Sequence, residues 1–357
     1  MFTRVFPALL ILSFIGPTAH ADYPPPAEVK AAFLKLLDRP RDTIKVHDLS
    51  QKPLGDDLIL ETLWFYCEKL TDQRVYTYLV RPAKITKKLP AVIVLHGTGG
   101  SGESQIGFLK ELAKRGIIGV AIDARWHGKR AGGIKGSLMY TQAIIRAWKT
   151  KPGMKQDHPF YYDTCWDLWR TVDYLVTRKD VDAKNLGMIG FSMGGIEAWL
   201  AAAVDDRIKV TVPAIAVQSF RWSLENDQWQ GRSRTIRHPH EVAAMDLGSL
   251  TEKGSPKVTQ KVCRELWNKV VPGILDQFDC PSMIRLFAGR PLLILNGEKD
   301  ANCPLDGAKL AFAEAEKAFK AAGASDKLRI IVAPGVGHSV TAEQRQAAFE
   351  WFERWLK

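Results

Sequence analysis

Residues 186–203 read LGMIGFSMGGIEAWLAAA, and this stretch decides the fold. Its first residues, up to Ile189, are mostly apolar, as in a buried strand, and the part from Ile196 onward is rich in good helix formers. Between the two parts lies a G-x-S-x-G motif centred on Ser192. On a sharp turn from strand to helix, such a serine needs small neighbours on both sides, and its hydroxyl then stands exposed. The stretch therefore predicts a functional serine rather than a glycine-rich turn with an incidental one.

A serine hydroxyl is a poor nucleophile at neutral pH unless a histidine accepts its proton and a carboxylate orients that histidine. Two later segments supply these residue types, each just past an apolar strand pattern. Asp300 follows the pattern at 291–295, and His338 follows the pattern at 328–332. Since ligands bind at the carboxyl ends of strands in an open sheet, we predict Ser192 as nucleophile, His338 as its base and Asp300 as the orienting acid.

Other interpretations of the two downstream residues stay open at the level of sequence. Glu298 and Asp306 flank Asp300 and compete with it for the role of the acid. His338 is also compatible with a loop histidine bonded to the backbone, and Asp300 with a solvated turn residue. The order serine, acid, histidine along the chain favours the catalytic interpretation, because enzymes built on such an elbow share it.

The segment HGTGG at 96–100 follows another apolar strand pattern and predicts a loop that binds an oxyanion. Reaction at a carbonyl needs hydrogen-bond donors for the developing charge, and backbone N–H groups next to the nucleophile serve this purpose. We predict the amides of Met193 and Thr98 as the two donors, with Gly97 as the alternative to Thr98. The glycines let the backbone turn its amides toward a substrate.

The same loop fits a second class of enzyme. Gly97, Gly99 and Gly102 satisfy G-x-G-x-x-G after a strand, and Asp123 ends the next strand, where a ribose-binding acid would lie. A nicotinamide-dependent oxidoreductase is therefore a competing hypothesis. It leaves the serine, aspartate and histidine loops unexplained, and for this reason we predict no organic cofactor.

From residue 58 onward, short β-rich runs alternate with amphipathic helical patterns, which is typical of an α/β fold with a mostly parallel sheet covered by helices on both faces. About eight strands are predicted, near 58–66, 75–81, 91–95, 117–123, 186–191, 208–217, 291–296 and 328–333. The helical patterns fall near 104–115, 162–178, 193–203, 305–321 and 341–356. Two stretches, 126–160 and 218–288, lack a steady period, and we interpret them as insertions, the longer one resembling a lid.

The longer insertion carries two further candidates. Trp222 is predicted to contact substrate, although most aromatic side chains serve packing. The run His238-Pro239-His240-Glu241 combines metal-ligand types but lacks the H-E-x-x-H spacing, and we predict no metal. The chain has five cysteines without a C-x-x-C pair, and their pairing stays open.

The first 21 residues are typical of an export signal, with Arg4 at the start, an apolar run, and an A-x-A site that ends at Ala21. We expect cleavage near Ala21, a single domain over residues 22–357, and a secreted or periplasmic protein. Pro7 and Pro17 interrupt the apolar run, and no membrane span is predicted. The net charge of +11 is carried by scattered residues, as in a solvated basic face, and no nucleic-acid partner is expected.

With these residues identified, the chain resembles the α/β-hydrolase superfamily over 58–356, in particular its dienelactone-hydrolase-like and prolyl-oligopeptidase-like esterase branch. The similar motifs are the elbow at Ser192, the loop at 96–100, the DARWHG turn at 123–128 and the RPLLILNG segment at 290–297. Dienelactone hydrolases usually have a cysteine in place of Ser192, and the peptidases usually carry a propeller that the short segment before residue 58 does not match.

The resemblance implies an α/β-hydrolase fold with a lid-like insertion, and hydrolysis of carboxylic esters through an acyl-enzyme on Ser192 without metal or organic cofactor. The expected substrate is a small-molecule or carbohydrate-linked ester, such as an acetyl ester on a sugar or phenolic compound. A serine peptidase is the alternative with the same chemistry. A noncatalytic binding protein, whose triad geometry would be broken, is the alternative outside it. The oligomeric state stays open.

Overall fold

One nine-stranded sheet forms the centre of the protein in the computed structural model, which describes residues 23–357. The strands are β1 (Val46–Pro53), β2 (Leu58–Glu68), β3 (Gln73–Pro82), β4 (Leu89–Leu95), β5 (Ile118–Ile122), β6 (Val181–Phe191), β7 (Ile208–Ala214), β8 (Leu292–Gly297) and β9 (Leu328–Ala333). Their order across the sheet is β1-β2-β3-β5-β4-β6-β7-β8-β9. All pairings from β5 to β9 are parallel, and the pairings of β1, β2 and β3 are antiparallel. The carboxyl ends of β4 to β9 therefore meet at one edge.

Helices cover both faces of this sheet. They are α1 (Pro26–Leu36), α2 (Ile106–Lys114), α3 (Leu138–Lys149), α4 (Tyr162–Thr177), α5 (Met193–Val204), α6 (Phe220–Glu225), α7 (Gln230–Thr235), α8 (Arg237–Asp246), α9 (Gln260–Val270), α10 (Cys280–Ile284), α11 (Leu305–Ala321) and α12 (Ala342–Leu356). Apolar side chains of α2 and α12 pack on one face, and those of α1, α4, α5 and α11 pack on the other. The architecture is thus three layers with two hydrophobic cores.

The central strand β4 shows why the sheet forms. Its residues after Leu89 are buried, and they alternate between the two cores, with Ile93 in the larger core and Val94 in the smaller one. A strand buried on both faces reads as a continuous apolar run, as this one does. Each such side chain contributes about 1.5–3 kcal/mol by leaving water. The loops that follow β4 and β6 therefore start from the most tightly packed part of the molecule.

The eight predicted strands are all present, and the structure adds a ninth. Strand β1 was not predicted, because its residues VHDLSQKP are mostly polar and mostly exposed. This strand lies at the edge of the sheet and pairs only with β2, so that neither face needs apolar side chains. Helix α1 was not predicted either. It begins with Pro26 at its first position, a placement that proline tolerates well.

The two stretches without a steady period contain short helices that pack on each other. The first contains α3, and the second contains α6 to α10. Trp148 and Lys149 at the end of α3 both donate hydrogen bonds to the Asp246 carboxylate at the end of α8, over 2.8 and 2.6 Å. The two insertions therefore form one helical layer beside the sheet.

The expected export signal, residues 1–21, lies outside the described residues. In the part of the chain that the structure describes, no helix combines the length and the apolar character needed to cross a membrane. The five cysteines, whose state the sequence left open, are buried free thiols.

Candidate active site

Ser192 lies on the tight turn between β6 and α5. Its backbone has φ 55° and ψ −114°, a strained conformation for a residue with a side chain. The surrounding glycines make the turn possible. A Cβ on Gly190 would lie 2.0 Å from the carbonyl oxygen of Gly194, and one on Gly195 would lie 2.5 Å from Ala216 Cβ. The motif is therefore required by the close approach of strand and helix.

His338 joins the serine to an acid by two short hydrogen bonds. Its Nε2 lies 2.7 Å from Ser192 Oγ, and its Nδ1 lies 2.7 Å from Asp300 Oδ2. The three residues come from the loops after β6, β8 and β9, at the edge where parallel strands end. A carboxylate next to Nδ1 favours the tautomer with the proton on that nitrogen, and Nε2 is then free to accept the serine proton.

Asp300 is held by its own loop. Its side chain is buried, and its second oxygen, Oδ1, accepts hydrogen bonds from the amides of Asn302 and Cys303 over 2.8 and 3.1 Å. Both carboxylate oxygens are thus engaged, one by the backbone and one by His338. This arrangement fixes the direction of the acid and, through it, the orientation of the imidazole ring.

The two competing acids are held elsewhere. Glu298 Oε2 accepts a hydrogen bond from the Gly335 amide over 2.6 Å, and Asp306 pairs with Lys309 at the exposed start of α11. Of the three acids that the sequence left open, the structure brings Asp300 to the histidine.

The two predicted oxyanion donors lie near Ser192: Met193 follows it in the chain, and Thr98 belongs to a loop that passes beside it. Met193 is the first residue of α5, so its N–H has no acceptor within the helix and lies at the positive end of the helix dipole. The 96–100 loop passes beside the serine, since a Cβ on Gly97 would lie 3.6 Å from Ser192 Cβ. Thr98 follows Gly97 in this loop. The donor roles of Met193 and Thr98 stay predictions.

His96, at the start of the same loop, is a structural residue. It is buried, its Nδ1 donates to the Gly97 carbonyl over 2.8 Å, and its Nε2 accepts from the Ala124 amide over 3.1 Å. Burial lowers the pKa of His96 to about 4, so the ring is neutral near pH 7. The ring ties the loop after β4 to the loop after β5.

Asp123 has a structural role as well, which removes the main support for dinucleotide binding. Its two oxygens accept hydrogen bonds from the amides of Gly102 and Lys129 over 2.7 and 2.8 Å. A Cβ on Gly128 would lie 2.4 Å from the same carboxylate. Burial raises the pKa of Asp123. The G-x-G-x-x-G pattern thus ends at a glycine whose amide holds Asp123, and the carboxylate is buried with both oxygens bonded to the protein's own backbone.

The remaining candidates lie in the longer insertion. Trp222 lies against the start of α11, where a Cβ on Gly307 would lie 2.8 Å from its ring. Its contact with substrate stays a prediction. His240 is buried, donates from Nδ1 to the Ile236 carbonyl and accepts at Nε2 from the Trp267 indole over 3.0 Å, whereas His238 is exposed. The two imidazoles therefore do not form one site.

Within residues 23–357, Asp300, Cys303 and His338 are the one group of metal-ligand types that converges, with ligand atoms within 4.8 Å of one another. Burial raises the pKa of the Cys303 thiol to about 12, so the sulfur is protonated near pH 7. Metal binding would need a thiolate instead. The hydrogen bond between Asp300 and His338 accounts for the proximity of the other two.

Sequence reasoning missed a groove of about 530 Å³ near Ser192, which is lined by both apolar and polar side chains. Its walls include Phe191, which directly precedes Ser192, and Val340, which is two residues past His338. Phe108 of α2 and Phe349 of α12 also line it and pack against each other, with ring centroids 4.5 Å apart. Phe191, the residue before the serine in the G-x-S-x-G motif, was the available signal, whereas the sequence-based candidates were aromatic residues of the insertions.

Comparisons with known proteins agree with this architecture. Residues 56–221 match the family described as acetyl xylan esterase (AXE1). YtaP of Bacillus subtilis (strain 168), a protein named as a hydrolase, is 27% identical over 341 residues, which cover 92% of this chain and 98% of that protein. Acetyl xylan esterase 1 from Thermoanaerobacterium sp. JW/SL YS485 has a TM-score of 0.63 at 18% identity, over 94% of this chain and 95% of that one. A glucuronoyl esterase from Solibacter usitatus has a TM-score of 0.59 at 18% identity, over 92% and 91%.

The nine-stranded sheet, the serine elbow and these similarities together define an α/β-hydrolase fold. The family match and the similarity to YtaP support an enzyme that hydrolyses ester bonds.

Proposed function

We propose that the protein is a serine esterase in which Ser192 attacks the carbonyl carbon of a carboxylic ester and forms an acyl-enzyme. The observation that carries this proposal is the continuous pair of 2.7 Å hydrogen bonds from Ser192 Oγ to His338 and from His338 to Asp300. Nucleophile, base and orienting acid are in hydrogen-bond reach before any substrate arrives, as the chemistry requires.

The reaction proceeds in two halves. As Ser192 Oγ bonds to the carbonyl carbon, its proton moves to His338 Nε2, and the carbonyl oxygen becomes an oxyanion. The carbon–oxygen bond to the alcohol then breaks, and His338 returns the proton to the leaving alcohol. A water molecule, deprotonated by the same nitrogen, attacks the acyl-enzyme and releases the acid and the free serine. Asp300 stays ionised throughout and stabilises the imidazolium.

The developing oxyanion is stabilised by the amides of Met193 and Thr98 in this proposal. Donors that are already oriented cost no reorganisation when the charge appears, and loss of one donor in such a site costs about 10²–10³-fold in kcat. The first amide of α5 and the loop beside Ser192 are the two groups near the hydroxyl that fit this role.

A small acyl ester, such as an acetyl group on a carbohydrate or phenolic compound, is the proposed substrate. Its support is the match of residues 56–221 to a family described by acetyl xylan esterase activity. The groove next to Phe191 and Val340 offers an apolar surface for one side of the ester, and we also propose that Trp222 contributes to substrate binding. In keeping with such a substrate, we propose one domain from residue 22 to 357 and export from the cytoplasm.

A serine peptidase would use the same three residues and is the alternative that the triad geometry does not separate from an esterase. A binding protein that had lost the chemistry is disfavoured, because it has no need for the intact hydrogen-bonded chain at His338.

The test is turnover of p-nitrophenyl acetate, butyrate and octanoate by the purified protein beside Ser192→Ala. We expect the variant to lose at least about 10⁴-fold in kcat, because no other group replaces the nucleophile. Ser325→Ala is the matched control, since Ser325 is exposed near the amino end of β9, at the opposite edge of the sheet. Absence of turnover by folded wild type on all three esters, with cleavage of a peptide substrate instead, would contradict the esterase proposal.

A further inference from the structure

Arg232 is a buried arginine on α7, in the longer insertion, and its guanidinium lies against the loop that carries Asp300. Nη2 donates a hydrogen bond to the Asn302 carbonyl over 2.8 Å and lies 3.4 Å from Cys303 Sγ. The other side of the guanidinium lies over the ring of Phe220, with 5.5 Å between Cζ and the ring centroid. The side chain therefore connects the insertion to the segment 300–303, which we name the acid loop.

The backbone of α7 is seated on the same loop. A Cβ on Gly231 would lie 2.0 Å from the Ala301 carbonyl oxygen, so no larger residue fits at this position without a shift of the backbone. The amides of Asn302 and Cys303 hold Asp300 Oδ1, and Arg232 holds the carbonyl of Asn302. One chain of contacts thus runs from the insertion through the acid loop to the carboxylate.

A buried guanidinium needs a compensating charge nearby. Five titratable side chains face this region: Tyr140 on α3, Tyr161 just before α4, Glu197 on α5, and Asp300 and Cys303 in the acid loop. Burial raises the pKa of Tyr140, Tyr161 and Glu197, and that of Cys303 to about 12, which favours the neutral form of all four. The exposed Glu298 and Lys299 precede the loop and face solvent. Among these groups the Asp300 carboxylate supplies the negative charge.

We infer that Arg232 is a positioning residue of the active site, which holds the acid loop in place and compensates the charge of Asp300 while that carboxylate orients His338. The inference rests on the proposed function, since it assigns Arg232 to the same triad. It gives the longer insertion a second role, support of the acid from the side, in addition to covering the sheet.

The charge of Arg232 makes the inference testable by pH. A fixed cation near the pair opposes protonation of His338, and the acidic limb of kcat/KM reports that protonation. Removal of the cation therefore moves the acidic limb to higher pH. A residue that only stabilised the fold would change the melting temperature without moving this limb.

The experiment measures the pH dependence of p-nitrophenyl acetate hydrolysis for wild type, Arg232→Gln and Arg232→Lys. We expect Arg232→Gln to lower kcat about 10–100-fold with KM within about twofold, and to move the acidic limb up by roughly half to one pH unit. Arg232→Lys retains the charge, so its limb stays at the wild-type position, while kcat falls because one ammonium does not reproduce the planar guanidinium contacts.

Arg290→Gln is the matched control. Arg290 is also largely enclosed and donates to the carbonyls of Ala202, Ala203 and Ile208, but it precedes β8 and lies at the amino-end edge of the sheet, opposite the triad. This variant is expected to lower the melting temperature and to leave the acidic limb and kcat unchanged.

An Arg232→Gln variant with the wild-type limb and kcat, and only the thermal destabilisation of Arg290→Gln, would overturn the inference. If Arg232→Gln does not fold, Arg232→Lys decides: a reduced kcat with an unmoved limb supports the inference, and wild-type kcat contradicts it. Absence of turnover by the wild type would instead contradict the proposed function, and this inference with it.

Discussion

The parallel part of the sheet and the longer insertion differ in how each is encoded. From β4 to β9 the chain alternates buried strands with amphipathic helices, and the three residues of the triad stand on loops at one edge. The insertion between β7 and β8 consists of short helices, two of them only six residues long. The sheet thus carries the three side chains of the proposed triad, while the insertion contacts the acid loop through Arg232.

The largest effect is expected from removal of the proposed acid at the carboxyl ends of the strands. Asp300→Asn should lower kcat/KM about 10³–10⁴-fold, because an amide at this position no longer favours the histidine tautomer that accepts the serine proton. The matched variant Asp306→Asn removes an exposed carboxylate that pairs with Lys309, and it should leave kcat/KM within about twofold of wild type.

Ester hydrolysis at neutral pH measures both variants. If Asp306→Asn lost the larger part of the activity, the acid would come from the start of α11 rather than from the loop after β8, and the assignment of the triad would be wrong.

The elbow glycines show how little space is left between β6 and α5. Gly190→Ala places a Cβ 2.0 Å from the Gly194 carbonyl oxygen, and we expect a loss of about 3 kcal/mol or more in the free energy of unfolding. Gly107→Ala, in α2, meets nothing within 4 Å and should stabilise the protein by about 0.5 kcal/mol through helix propensity. Urea denaturation at neutral pH checks both. Equal stability of the two variants would contradict the packing of β6 against α5.

A smaller effect concerns the insertion. Burial lowers the pKa of His240 to about 4, from an ordinary value near 6.5. The folded state therefore binds this proton less readily than the unfolded chain, so the contribution of His240 to stability is complete above pH 6.5 and is lost as pH falls toward 4. In His240→Gln, the loss of unfolding free energy between pH 7 and pH 5 should be smaller than in wild type by about 2 kcal/mol.

His238→Gln is the control for this experiment, because His238 is exposed on the same helix. Urea denaturation at several pH values should give the wild-type pH dependence for His238→Gln. A wild-type dependence for His240→Gln as well would mean that the Trp267 indole does not hold a neutral His240 in the insertion.

The sequence predicts the parallel sheet well because burial on both faces forces apolar runs at regular spacing. The central strands β4 to β8 show this pattern, including β6, which ends just before Ser192, and the edge where Ser192 and His338 meet was predicted as well. Asp300 was predicted as the acid, but Glu298 and Asp306 stayed open as alternatives, because all three lie within eight positions of one another and only the loop backbone decides which one faces His338.

The parts that escaped prediction lack such a period. Strand β1 is an exposed edge and needs no apolar face, and the helices α6 and α7 of the insertion, with six residues each, are too short for a hydrophobic stripe to stand out. Arg232 was missed for a related reason. Its partners at 302 and 303 lie about 70 positions away, and an arginine in an irregular polar stretch reads as exposed unless the contact across the fold is known.

The formation of the covalent intermediate by Ser192, activated by His338, is tested by the mass of the intact protein after reaction with a fluorophosphonate probe. We expect one adduct per chain, located on Ser192, absent in Ser192→Ala and strongly slowed in His338→Ala. No adduct on folded wild type, or an adduct on another serine that persists in Ser192→Ala, would contradict it.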